Sequence, residues 1–146
     1  MADEAIRQGI VGAEKLAETI NKWLADIFQT IAAWGGDVHV VAGDAIIAVW
    51  FTDAGVAAAD AVAAAVQAGL SIQAKNQNGV SGSAFLVRSS VCVGPIRYSE
   101  LGGRGEEWHG VLAGSVLTEL GELDRQGLPG AVLASEAAWR LISTRG

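Results

Sequence analysis

The chain is poor in the residues that staple, punctuate or charge a fold. Its 146 residues hold one cysteine (Cys92), two prolines, one tyrosine, one methionine and two histidines. A single thiol excludes an internal disulfide framework and favours a reducing compartment. His39 and His109 lie far apart in sequence, and no second His or Cys sits at ligand spacing to either. Cationic residues are also scarce: ten Lys and Arg face sixteen Asp and Glu, for a net charge of −6. A nucleic-acid binder needs a basic face, so this balance argues against phosphate-backbone recognition. Long apolar runs are missing too. The most apolar stretch, Ala54 to Leu70, is interrupted by Asp60 and Gln67 and is too weakly apolar to need lipid. The start, Met1-Ala2-Asp3-Glu4, is acidic and has no apolar core of a secretory signal. The expectation is a cytoplasmic protein with no membrane contact.

What is present is apolar content, at 51% hydrophobic against 18% charged, which argues against disorder. The length fits one domain over 1–146, and a chain of about 150 residues buries roughly 68–70% of its unfolded surface. Residues 2–34 read as helix. Leu16, Ile20, Trp23, Leu24, Ile27, Phe28 and Ile31 recur at steps of three and four, with Glu14, Lys15, Glu18 and Lys22 opposite. Gly9 and Gly12 are expected to divide this region into two helices, and Trp34-Gly35-Gly36 to stop it.

Val38–Val41 and Ala45–Phe51 read as strands around the turn Ala42-Gly43-Asp44, a β-hairpin whose second strand suits burial on both faces. Asp53 is the expected N-cap of a helix over 54–75, followed by a polar loop from Lys75 to Ser83. Phe85–Val93 alternates as a strand that Gly94-Pro95 ends. Further on come a strand near Trp108–Leu112, a helix over 115–126, a short strand Ala131–Leu133, and a last helix through Ile142 capped by Ser135. This order suggests an α+β fold with helices on one side of an antiparallel sheet.

Several residues admit two readings. Asp44 is either a metal ligand or an ordinary turn residue. His39 is a ligand or base, or a strand histidine. Gly102-Gly103-Arg104-Gly105 is a phosphate cradle or a surface turn. Cys92 is a nucleophile or a half-buried inert thiol, and no basic cluster surrounds it in sequence. The five tryptophans read mostly as core or dimer-face anchors.

The hairpin from Trp34-Gly35-Gly36-Asp37 through Ala42-Gly43-Asp44-Ala45 to the apolar run Ile46-Ile47-Ala48-Val49-Trp50 resembles the class III nucleotide cyclase domain. Leu86 to Gly94, Val111-Leu112-Ala113-Gly114, and Gly130 to Trp139 with Ser135 agree with later family segments in order, so the resemblance spans about residues 12–143. It is nearest the bicarbonate-responsive, soluble-adenylyl-cyclase-like branch. The resemblance implies a ferredoxin-like cyclase fold that works face to face with a second domain. It also implies Mg or Mn on two aspartates, because triphosphate cyclisation needs positive charge on attacking and leaving oxygens.

Position by position, the resemblance puts the second metal aspartate on Asp44. The base-reading lysine falls on Val40, and the base-selecting residue on Val111. The ribose-steadying asparagine falls on Thr118, a weak nucleotide-binding candidate, and the transition-state arginine on Glu122. Valine cannot hydrogen-bond a base, and Glu122 repels the charge that the arginine stabilises. The first metal aspartate lies on an opening strand for which this sequence shows no counterpart.

That strand lies inside the family's sheet, so its lack exposes unpaired backbone on its neighbours. Another chain donates it, two copies pair or swap, or it is encoded upstream. The expected function is therefore a catalytically degenerate cyclase-like domain acting as a dimerising or regulatory module. The expected partner is a second copy or a cyclase-like chain. The alternatives are a subunit of a heteromeric adenylate or guanylate cyclase, and a sensor of a nucleotide or bicarbonate.

Overall fold

A helix of 32 residues, α1 (Ala2–Ala33), opens the structure. The computed structural model describes residues 2–52, 55–77, 86–102 and 108–144. α1 is continuous, which corrects the expected division at Gly9 and Gly12: an interior glycine costs about 1 kcal/mol relative to alanine and need not break a helix. Its apolar stripe faces inward as the spacing requires. Ile27 and Ile31 are buried and meet Ile72, while Trp23, Phe28, Val38, Ile46, Ala48, Trp50 and Val87 pack around them.

The helix stops where expected. Gly35 turns left-handed at φ 76°, and the Gly36 N–H returns to the Ile31 carbonyl at 3.0 Å. This satisfies a carbonyl that the helix end would leave open. Gly36 is also pressed against the Trp50 indole, so that any Cβ there would collide with the ring. The Trp50 Nε1–H donates to the Trp34 carbonyl at 2.9 Å, which holds the hairpin's far end to the helix stop.

The hairpin is β1 (Asp37–Ala42) and β2 (Ala45–Val49), antiparallel, with Ala42 opposite Ala45. Its two-residue turn places Gly43 at φ 64°, a conformation glycine adopts without a Cβ penalty. The register slips at His39, between Val38 and Val40. β2 is half-buried over four of its five residues, rather than buried on both faces as its apolar run had implied. Its second edge carries no partner strand among the described residues.

Next comes α2 (Ala58–Gln77), which begins four residues later than expected. Asp53, the expected cap, and residues 78–85 of the polar loop and strand start lie outside the described residues. Ala61, Val62, Ala65, Ala68 and Ile72 form its buried face. Three polar bonds join α1 to α2: Trp23 Nε1–H to Asn76 Oδ1 at 3.0 Å, Trp34 Nε1–H to Ser71 Oγ at 3.2 Å, and Lys75 Nζ to Thr30 Oγ1 at 2.8 Å.

The remaining elements are β3 (Ser89–Val91), β4 (Arg97–Gly102), β5 (Trp108–Ala113), α3 (Ser115–Gln126), β6 (Val132–Ala134) and α4 (Glu136–Ser143). α3 has its expected bounds. α4 starts on Ser135, whose Oγ accepts from the Ala138 N–H at 3.3 Å, as an N-cap should. β4 has no counterpart in the sequence reading, and it pairs with β5 as a second antiparallel hairpin.

The mixed helix-and-strand class holds, with the strands in three two-stranded ladders. Two are antiparallel. The third, β3 with β6, is parallel, although the sequence order pointed to antiparallel pairing throughout. α2 and α4 pack together, and α2 also covers β3 and β6.

Candidate functional site

The AGDA hairpin tip presents Asp44 in the exposed turn between β1 and β2. Val40 stands on β1 opposite Ile47 and is 39% exposed. Val111 stands on β5 opposite Ser99 and is 40% exposed. Two apolar side chains on accessible strand surface offer no hydrogen bond to a base edge. Thr118 and Glu122 are exposed one turn apart on α3, so they share a face of that helix. Among the described residues, no hydrogen bond or ion pair connects Asp44 to Thr118 or Glu122.

A divalent cation such as Mg or Mn needs several oxygen donors converging on one point. Among the described residues, no three His, Cys, Asp or Glu side chains gather in that way. Asp44 is a lone carboxylate at a solvent-exposed turn, so the residues present do not fit a two-metal centre.

The structure joins the two hairpins elsewhere. The His39 ring meets the Tyr98 ring edge-on, with centroids 6.0 Å apart and planes at 81°. This gives His39 a packing partner across the β1–β4 junction. Tyr98 Oη donates to Glu100 Oε1 at 3.3 Å. Desolvation, and then the charge and hydrogen bond of Glu100, push the Tyr98 phenol up.

Beside this junction lies a cavity of about 650 Å³. β2 and the segment following it form one wall, β3 and residues 92–96 another, and α2 and α3 contribute Ala61, Val62, Ala65, Val116, Leu117 and Leu120. Cys92 lines it. Burial, followed by the Glu119 charge, pushes the Cys92 thiol up, while a hydrogen bond with Ser135 pulls it partly back. A thiol held in its neutral form is a poor nucleophile. Of the Gly102–Gly105 loop, only Gly102 lies among the described residues.

Sequence reasoning did not find this cavity. Its lining comes from five separate stretches of chain, none with a chemical motif. The break in strand pairing implied by the resemblance was the available signal.

Trp34, Trp108 and Trp139 are exposed, whereas Trp23 and Trp50 pack against the core. No helix among the described residues is long and apolar enough to cross a membrane.

No family model matches the chain, and no curated protein does. Solved structures do. The guanylate cyclase domain of RhGC from Catenaria anguillulae in complex with GTP superposes with a TM-score of 0.76 at 20% identity, over 88% of this chain and 70% of that one. The adenylyl cyclase CyaB from P. aeruginosa gives 0.72 at 15% identity, over 90% of this chain and 70% of that one. The guanylyl cyclase domain of the RhoGC fusion protein from Blastocladiella emersonii, described as a non-canonical dimer, gives 0.74 at 17% identity, over 90% and 72%. Both nucleotide specificities occur among these neighbours, and each neighbour is longer than the part this chain matches. The chain has the fold of a class III nucleotide cyclase catalytic domain.

Proposed function

We propose that this chain is a catalytically degenerate nucleotide-cyclase-like domain that acts as a dimerising, regulatory module. The observation that carries the reading is the set Val40, Val111 and Glu122 on a cyclase-like fold, with Asp44 as a lone carboxylate. Cyclisation moves charge onto phosphate oxygens, and each preorganised donor removed from such a site costs about 100- to 1000-fold in rate. Glu122 replaces a cation by an anion, so it opposes that charge. The partner is a second copy or a cyclase-like chain. Exposed Trp108 and Leu101 on the β4–β5 hairpin offer apolar surface of the kind found at interface cores.

The test is turnover of ATP and of GTP by the purified chain with Mn²⁺. No cyclic nucleotide is expected. The heteromeric-subunit reading keeps one supporting observation, the accessible position of Asp44. It predicts activity on mixing with a cyclase-like partner that Asp44→Ala abolishes.

A further inference from the structure

We infer that the cavity between β2 and β3 is a strand-accepting slot for an extended, uncharged, apolar segment of a separate polypeptide. This deepens the partner side of the proposed function, because the slot shows how a second chain engages the fold. It stands or falls separately from the question of turnover.

Four observations on the slot converge. First, its two long walls are strand edges. β2 is hydrogen-bonded only to β1, and β3 only to β6, so each has a second edge without a ladder among the described residues. Both strands contribute to the lining of the same cavity. An unpaired strand edge presents a row of N–H and C=O groups that templates pairing with another strand.

Second, the lining contains no Asp, Glu, Lys, Arg or His. A charged occupant would lose its hydration there without gaining a partner. An apolar small molecule would satisfy the walls but leave the backbone edges unmet. A β-strand satisfies both, with main-chain groups toward the edges and side chains above and below the pleat.

Third, the hydroxyl of Ser90, in the lining, is fully buried and has no hydrogen-bond partner. Such a group is costly to leave unmet. The backbone of an inserted strand brings donors and acceptors to the β3 side of the slot.

Fourth, the size fits. The five residues of β2 extend over about 17 Å at ~3.3–3.4 Å per residue, so five to seven residues of strand match its length. A cavity of about 650 Å³ holds roughly twenty waters by liquid volume, far more than a buried structural water or two. On the α2 side the floor is made of small residues, Ala58, Ala61 and Ala65, which leaves depth for bulkier side chains of the guest.

The occupant is a separate polypeptide rather than a second copy. All six described strands are already paired within this chain, so a copy would have to break a ladder of its own to donate one.

The sole cysteine provides the assay, since Cys92 lines the slot. The probe is a capped seven-residue peptide of alternating valine and threonine. Two controls keep its length: one with glutamate in place of alternate valines, and one with proline at alternate positions, which stays apolar but lacks N–H donors. Alkylation of Cys92 in the full chain is followed with each peptide. The valine peptide is expected to slow alkylation about tenfold at a concentration of about ten times its Kd, and the controls are expected to leave the rate unchanged. Ala61→Leu and, independently, Ala65→Leu fill the floor and should abolish protection while circular dichroism stays that of the parent.

Equal protection by the proline peptide would show that the cavity reads only apolarity, and would overturn the proposal. So would no protection by any peptide at millimolar concentration. Protection without peptide that disappears on dilution, together with dimer dissociation by light scattering, would assign the slot to a second copy and equally overturn it.

Discussion

Replacing Gly36 by alanine tests how the hairpin is locked to the first helix. Gly36 is buried, and a Cβ there would meet two carbons of the Trp50 indole below any real contact distance, with Ile31 Cγ2 at 3.0 Å. The indole cannot retreat freely, because its Nε1–H is bonded to the Trp34 carbonyl at 2.9 Å. Overpacking a filled site costs about 1–3 kcal/mol, and losing one hydrogen bond about 0.5–1.5 kcal/mol. Against this, alanine stiffens the unfolded chain by about 0.4–1 kcal/mol relative to glycine. The net expectation is a loss of about 2 kcal/mol, or roughly 4–8 °C in Tm for a chain of this size. Urea unfolding followed by far-UV circular dichroism measures it. In a Trp50→Phe background the smaller ring removes both clash and bond, so the same substitution should cost less than half as much. A Gly36→Ala protein within about 0.5 kcal/mol of the parent, the scatter of an ordinary surface change, would refute this account of the lock.

The remaining predictions are independent of that lock. Ser135→Ala removes the N-cap of α4 and should cost about 1 kcal/mol in urea unfolding; by deleting the hydrogen bond that pulls the Cys92 thiol back, it should also move the pH profile of Cys92 alkylation upward. Because the folded thiol is pushed up, its contribution to stability is complete below the unfolded thiol value. That contribution should fade as pH rises through the raised folded value, a trend absent in Cys92→Ala. Arg88 makes a two-point pair with Asp124 at 3.0 and 3.1 Å, but both side chains are more than two-fifths exposed. Arg88→Ala should therefore cost no more than about 1 kcal/mol, and less in high salt.

Local chemistry was legible in the sequence where a single residue decides the structure. Gly35 and Gly36 mark the end of α1, Gly43 the hairpin turn, Ser135 the cap of α4, and the apolar spacing of α3 its full extent. What was not legible has physical reasons. β4 is exposed along its whole length, so Arg97 to Gly102 carries no burial pattern to read. In α1, tertiary packing of Ile27 and Ile31 outweighs two glycines near the opposite end. The alanine-rich start of α2 suits several helix boundaries equally. At the site, the resemblance located Asp44, Val40, Val111, Thr118 and Glu122, and the structure puts all five on accessible surface. The slot beside β2 and β3 was invisible to motif reading, since it consists of apolar side chains and unpaired backbone.

The most direct measurement is cyclic nucleotide formation at high protein concentration, where dimers are favoured, with Mn²⁺ and either ATP or GTP, followed by mass spectrometry. The substitutions at Val40, Val111 and Glu122 predict no cyclic product above a protein-free control. Cyclic AMP or cyclic GMP that accumulates with time and is lost in Asp44→Ala would contradict the reading of this fold as catalytically degenerate.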